Sequence, residues 1–110
     1  SQAEIYKQCF AISVCTNEDL QSPTIVGAQA ANELLNIRGI KASFVLTDYQ
    51  GKIYISARSI DEVNVQLIME KMGGGGHANM AGAQLTCTPE DARDILKHTI
   101  DGMIEEGELT

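Results

Sequence analysis

The hydrophobic pattern changes period several times along this chain, and each change predicts an element. After a polar, mixed stretch over residues 1–8, Cys9-Phe10-Ala11-Ile12-Ser13-Val14-Cys15 is a short, nearly continuous apolar run rich in β-formers. That is the pattern of a strand covered on both faces. Thr16 to Gln21 reads as polar loop. Ser22-Pro23 predicts a helix start, with Ser22 as N-cap and Pro23 at the first helical position, where its missing N–H costs nothing. Val26, Ala30, Leu34 and Ile37, with Ala31 and Leu35 beside them, form an apolar stripe at helical spacing that stops at Gly39.

Ile40 to Asp48 predicts a second strand and Lys52 to Ser59 a third, joined by the hairpin chemistry of Asp48-Tyr49-Gln50-Gly51. In the third, Ile53, Ile55 and Ala57 point one way, to a packed face, while Lys52, Tyr54, Ser56 and Arg58 point the other, to a polar one. Val65, Ile68, Met69 and Met72 predict a helix that starts near Asp61 or Asn64, and Ala83 to Cys87 a fourth strand. Thr88-Pro89-Glu90-Asp91 opens a last helix, with Ile95, Ile100, Met103 and Ile104 as its apolar side and Gly107 at its end. The predicted fold is α/β: a mixed sheet of about four to five strands with helices packed on it, in the order strand-helix-strand-strand-helix-strand-helix.

Composition narrows this to one domain over residues 1–110, because 110 residues with 44% hydrophobic content suffice for one core and not for two. Cys9, Cys15 and Cys87 form no CxxC or Cys/His cluster, and buried reduced thiols in a cytoplasmic protein are expected. No apolar stretch is long enough to span a bilayer, so no direct membrane contact by this domain is expected. The net charge of -7 argues against broad electrostatic binding to duplex nucleic acid.

The chemistry concentrates in Gly73-Gly74-Gly75-Gly76-His77. Gly73 falls where a left-handed helix cap belongs, which explains one glycine. The surplus at Gly74, Gly75 and Gly76 points to backbone held open so that its N–H groups approach an anion, with His77 adding a donor side chain. The plain alternative is a flexible loop with an exposed histidine. No Lys-Ser/Thr follows the run as in a P-loop, and no strand leads directly into it as in a dinucleotide fold. Arg58 closes the polar face of the third strand and is expected to converge with His77, its guanidinium fork offering paired donors to phosphate; the alternative is a surface ion pair with Asp61 or Glu62. Ser56 and Ser59 flank Arg58 as further hydroxyl donors, and Asn64 joins the substrate-binding candidates. With two histidines far apart and no nucleophile beside a base, no metal ligands and no catalytic residues are expected within the chain.

Ile55-Ser56-Ala57-Arg58-Ser59, Asn64-Val65-Gln66, and Ile68-Met69-Glu70-Lys71-Met72 leading into the glycine-histidine run, together with Ala42-Ser43-Phe44-Val45 and the later Ala81-Gly82, resemble the DHH-associated C-terminal domain of DHH-family phosphoesterases. The resemblance covers almost the whole chain, and the string from Ser56 to His77 is most similar to the bacterial cyclic-di-AMP phosphodiesterases. Met80 departs from the pattern by standing where an alanine is usual. The resemblance implies a preceding DHH domain that holds two manganese ions and does the hydrolysis. It implies that Arg58 and His77, with the Gly74 to Gly76 backbone, contact substrate phosphate or nucleotide, and that the parent protein is anchored in the cell membrane.

Three readings follow. One is the substrate-binding half of a phosphodiesterase for a cyclic dinucleotide or its linear product. The second is a single-stranded nucleic-acid or short-oligonucleotide module of the RecJ-like or oligoribonuclease-like kind, disfavoured by only five aromatics and the negative charge. The third is a structural or homodimerising domain in which the glycines serve close packing.

Overall fold

The computed structural model describes residues 3–16, 22–60 and 62–109. Its elements are β1 (Glu4–Tyr6), β2 (Phe10–Thr16), α1 (Pro23–Leu34), β3 (Ala42–Tyr49), β4 (Lys52–Ser59), α2 (Val65–Lys71), β5 (Gly75–His77), β6 (Met80–Leu85) and α3 (Pro89–Glu105). One mixed sheet runs β1-β2-β3-β4-β6-β5. Only β2 and β3 are parallel, and α1 supplies the crossover that parallel neighbours require. The expected class and order hold, but the sheet has six strands rather than four or five. The two extra strands, β1 and β5, are three residues each and sit at the two edges. β5 consists of glycine and histidine, so neither alternation nor β-propensity marks it in the sequence.

The caps read from the sequence are made. Thr24 N–H donates to Ser22 Oγ (3.2 Å) and Asp91 N–H to Thr88 Oγ1 (3.1 Å), each at a helix start; α2 is capped by Asn64, expected instead among the substrate contacts, whose Oδ1 accepts from Leu67 N–H (3.2 Å). The β3–β4 hairpin turns on Gln50 and Gly51, both with positive φ (50° and 81°), the two-residue geometry that matches strand twist. Two boundaries and one buried stripe differ from expectation. α1 stops at Leu34, and Asn36 and Ile37 N–H groups close short turns onto Glu33 and Leu34, because the chain must reverse before β3 begins. β6 starts three residues before the expected Ala83, since Met80 to Gly82 pair with both β4 and β5. In α3 the buried stripe is Ala92, Leu96, Ile100 and Met103, while Ile95 and Ile104 are exposed.

Helices cover both faces. On one, α2 and α3 enclose Phe10, Phe44, Leu46, Ile53, Ile55 and Ala57 in the main core. On the other, α1 packs on β3 and β4. Small residues let it sit close: a Cβ on Gly27 would lie 2.5 Å from Ser56 Oγ, and Ser43 Oγ donates to Ala31 O (2.7 Å). The β4 face expected to be polar rather than packed is partly covered, with Ser56 buried and Tyr54 and Arg58 half-buried. The three cysteines are unpaired and half-buried rather than buried.

Candidate functional site

Ser56, Arg58, Gly75 and His77 lie on the α1 side of the sheet, whereas Ser59 and Asn64 do not. Register places Ser43 opposite Arg58, Arg58 opposite Met80, and Met80 opposite His77, so four strands contribute to one cross-strand row. The next row holds Val45, Ser56, Gly82 and Gly75, and the third Thr47, Tyr54 and Gln84. Beside the first turn of α1 this face opens into a cleft of about 390 Å³ lined by Thr24, Tyr54, Gly73, Gly74, Gly82 and Gln84. That volume lies in the range of small-molecule sites, roughly 300–1,000 Å³. Gly82, Tyr54 and Gln84 share the parity of Arg58. The sequence alone could not place Gln84 there, because that requires the β4–β6 register.

Arg58 and His77 share a face but do not touch; two strand spacings separate their backbones, roughly 10 Å. Arg58 Nη1 donates to the neighbouring Ala57 O (2.9 Å), while Nε is buried without a hydrogen-bond partner among the described residues. Burial pushes the guanidinium below its ordinary pKa. Glu62 pairs instead with Lys41 (2.8 Å), and Asp61 lies outside the described residues. No ion pair joins Arg58 to a carboxylate among the described residues, so its charge and its buried Nε stand without a protein partner. His77 is exposed on the edge strand.

The glycine run is more structural than the sequence suggests. Gly73 takes φ 88°, and the N–H groups of Gly73 and Gly74 donate to Glu70 O (3.1 Å) and Met69 O (2.8 Å), the paired bonds of a Schellman cap. Gly74 is glycine because a Cβ would meet Gly82 O at 2.0 Å, and Gly76 because its φ is 142° and a Cβ would meet Ala81 Cα at 2.6 Å. Only Gly75, of these four, has ordinary φ and open space at its Cβ position. The surplus glycines thus serve close packing of β5 on β6, and the backbone free to meet a ligand narrows to the edge strand from Gly75 to His77.

Two candidates are engaged elsewhere. Ser59 has the opposite parity to Arg58: its hydroxyl donates to Val63 O (2.6 Å) and accepts from Asn79 Nδ2 (3.0 Å), tying the β4 end to the β5–β6 turn. Asn64 spends Oδ1 on the α2 cap. Ser56 lies on the Arg58 face but beneath Gly27 of α1. Among the described residues, no three His, Cys, Asp or Glu side chains are grouped to hold a metal ion.

Comparison with known proteins follows the same lines. Residues 8–106 match the DHHA1 domain. The chain is 48% identical over 83 residues to the cyclic-di-AMP phosphodiesterase PdeA of Listeria monocytogenes, covering 74% of this chain and 12% of that protein. It is 42% identical over 106 residues to the cyclic-di-AMP phosphodiesterase GdpP of Bacillus subtilis, covering 94% and 16%. The chain thus spans about an eighth to a sixth of the length of these relatives. The fold is shared with an exopolyphosphatase-related protein from Bacteroides fragilis, with a TM-score of 0.81 at 22% identity over 92% of this chain and 31% of the other. With the match running over nearly its whole length, the chain belongs to the DHHA1 domain family.

Proposed function

We propose that this chain is the substrate-binding domain of a manganese-dependent DHH-family phosphodiesterase that hydrolyses cyclic-di-AMP or its linear product. Arg58 carries the reading: a half-buried guanidinium with an unpartnered buried donor, on the same sheet face as His77 and a nucleotide-sized cleft. A guanidinium kept out of water without a counter-ion is stabilised by an arriving phosphate, which accepts its fork. His77 and the Gly75–His77 edge backbone would hold the same ligand from the far side. The similarity to PdeA and GdpP favours a cyclic dinucleotide as that ligand. In this reading manganese is held by a preceding DHH domain, and this chain's own part is to bind and orient. We place its work in the cytoplasm, where unpaired half-buried thiols persist.

The test is turnover of cyclic and linear dinucleotides by the parent enzyme, wild type beside His77→Ala. The reading expects cleavage of the cyclic substrate, a loss of catalytic efficiency in the variant, and unchanged manganese content. Cleavage of linear oligonucleotides alone would favour the oligoribonuclease-like reading. A silent His77→Ala would remove the site. The distribution of aromatics already favours a short ligand: Phe10 and Phe44 are in the core, and only Tyr49 and Tyr54 lie on the site face.

A further inference from the structure

Resting on that reading of the phosphate row, we infer that Gln84 and Tyr54 form a base subsite that selects adenine over guanine. The two residues are a direct cross-strand pair, which brings their Cβ atoms to roughly 5 Å, and both line the cleft. Gln84 is exposed and its amide makes no hydrogen bond among the described residues. Tyr54 is half-buried and is steadied by a T-shaped contact with Tyr49, ring centroids 6.3 Å apart. An aromatic held by a second aromatic, beside an uncommitted amide, offers stacking together with one donor and one acceptor.

The spacing suits a nucleotide. Successive residues on one strand face are roughly 7 Å apart, so the phosphate row of Arg58, Met80 and His77 and the base row of Tyr54 and Gln84 lie roughly 13 Å apart along the backbone with one row between, a gap that side chains reaching inward from both rows shorten toward the length of a nucleotide. On the open side that middle row is Gly82 and Gly75, with no side chains to obstruct a sugar. Adenine presents a donor and an acceptor side by side at N6 and N7, which a glutamine amide matches with both its groups; guanine presents two acceptors at O6 and N7, of which the amide meets only one. The acidic chain gives no general affinity for nucleotides, so selectivity must come from such local pairing.

The experiment titrates the chain with AMP, GMP and ribose 5-phosphate, following backbone amide shifts, for wild type, Gln84→Leu, Gln84→Glu and Arg58→Ala. Wild type should bind AMP tighter than GMP by on the order of tenfold. In both Gln84 variants that ratio should collapse toward one. A wild-type ratio of one, a preference for GMP, or a ratio that survives both substitutions would overturn the base subsite. Ribose 5-phosphate separates the two readings: if its binding is unchanged in Arg58→Ala, the phosphate row fails, whatever the AMP to GMP ratio shows.

Discussion

Arg58 and His77 approach one residue, Met80, from opposite sides: each is its direct cross-strand partner, one on β4 and one on β5. Met80 is exposed between them. A ligand that spans the two must therefore cross the Met80 side chain. Met80→Ala should strengthen phosphate binding modestly, within about tenfold, by clearing the path, and a titration with pyrophosphate would read it.

Arg58 should show opposite effects on stability and binding. Its buried Nε has no partner, and an unsatisfied buried donor costs roughly 1–3 kcal/mol. Arg58→Met keeps the stem and removes that donor, so urea unfolding should find the variant as stable as wild type or slightly more so, while phosphate binding is lost. Marked destabilisation would mean that the guanidinium is structural.

Within the glycine run the three substitutions should separate. Gly75→Ala has open space and ordinary φ, so its stability should stay within about 0.5 kcal/mol of wild type. Gly74→Ala drives a Cβ onto Gly82 O and Gly76→Ala forces a positive φ, each costing roughly 1–3 kcal/mol. Thermal melts read this directly. Gly75→Ala is then the clean probe of ligand contact, since a loss of binding in it cannot be blamed on the fold.

What the sequence revealed and what it hid follow from the range of the interactions involved. Ser22 and Thr88 act through bonds within three residues, so their caps were legible, as was the alternation of β4, whereas Asn64, which makes the same kind of bond, was grouped with the substrate contacts. The Gly73 cap was legible for the same reason. The close approach of Gly74 to Gly82 was not, because it joins residues from different elements, and the sequence then suggested that all the surplus glycines served a ligand. Ser59 was grouped with Arg58 by adjacency although alternation sends neighbouring residues to opposite faces. Gln84 and Thr24 entered the cleft only through register and helix placement.

The strand β1 is held by Tyr6, whose hydroxyl donates to Asp101 on α3 (2.6 and 2.8 Å to the two oxygens). That hydrogen bond, then burial and the carboxylate charge, push the phenol from 10.0 up to about 12. The folded pKa is the higher one, so the contribution is fully present below pH 10 and is lost as pH rises toward 12. Tyr6→Phe should cost about 1 kcal/mol at neutral pH, and the difference from wild type should vanish through that alkaline window. Denaturation at pH 7 and pH 11.5 tests both halves.

The most direct test of the central claim is an amide-shift map of this chain with cyclic-di-AMP. The account predicts perturbations concentrated at Gly75, Gly76, His77, Met80 and Gly82, extending along β6 to Gln84, with α3 and β1 silent. Shifts gathered around Tyr6 and Asp101 instead, or none on β5 and β6 at saturating ligand, would contradict it.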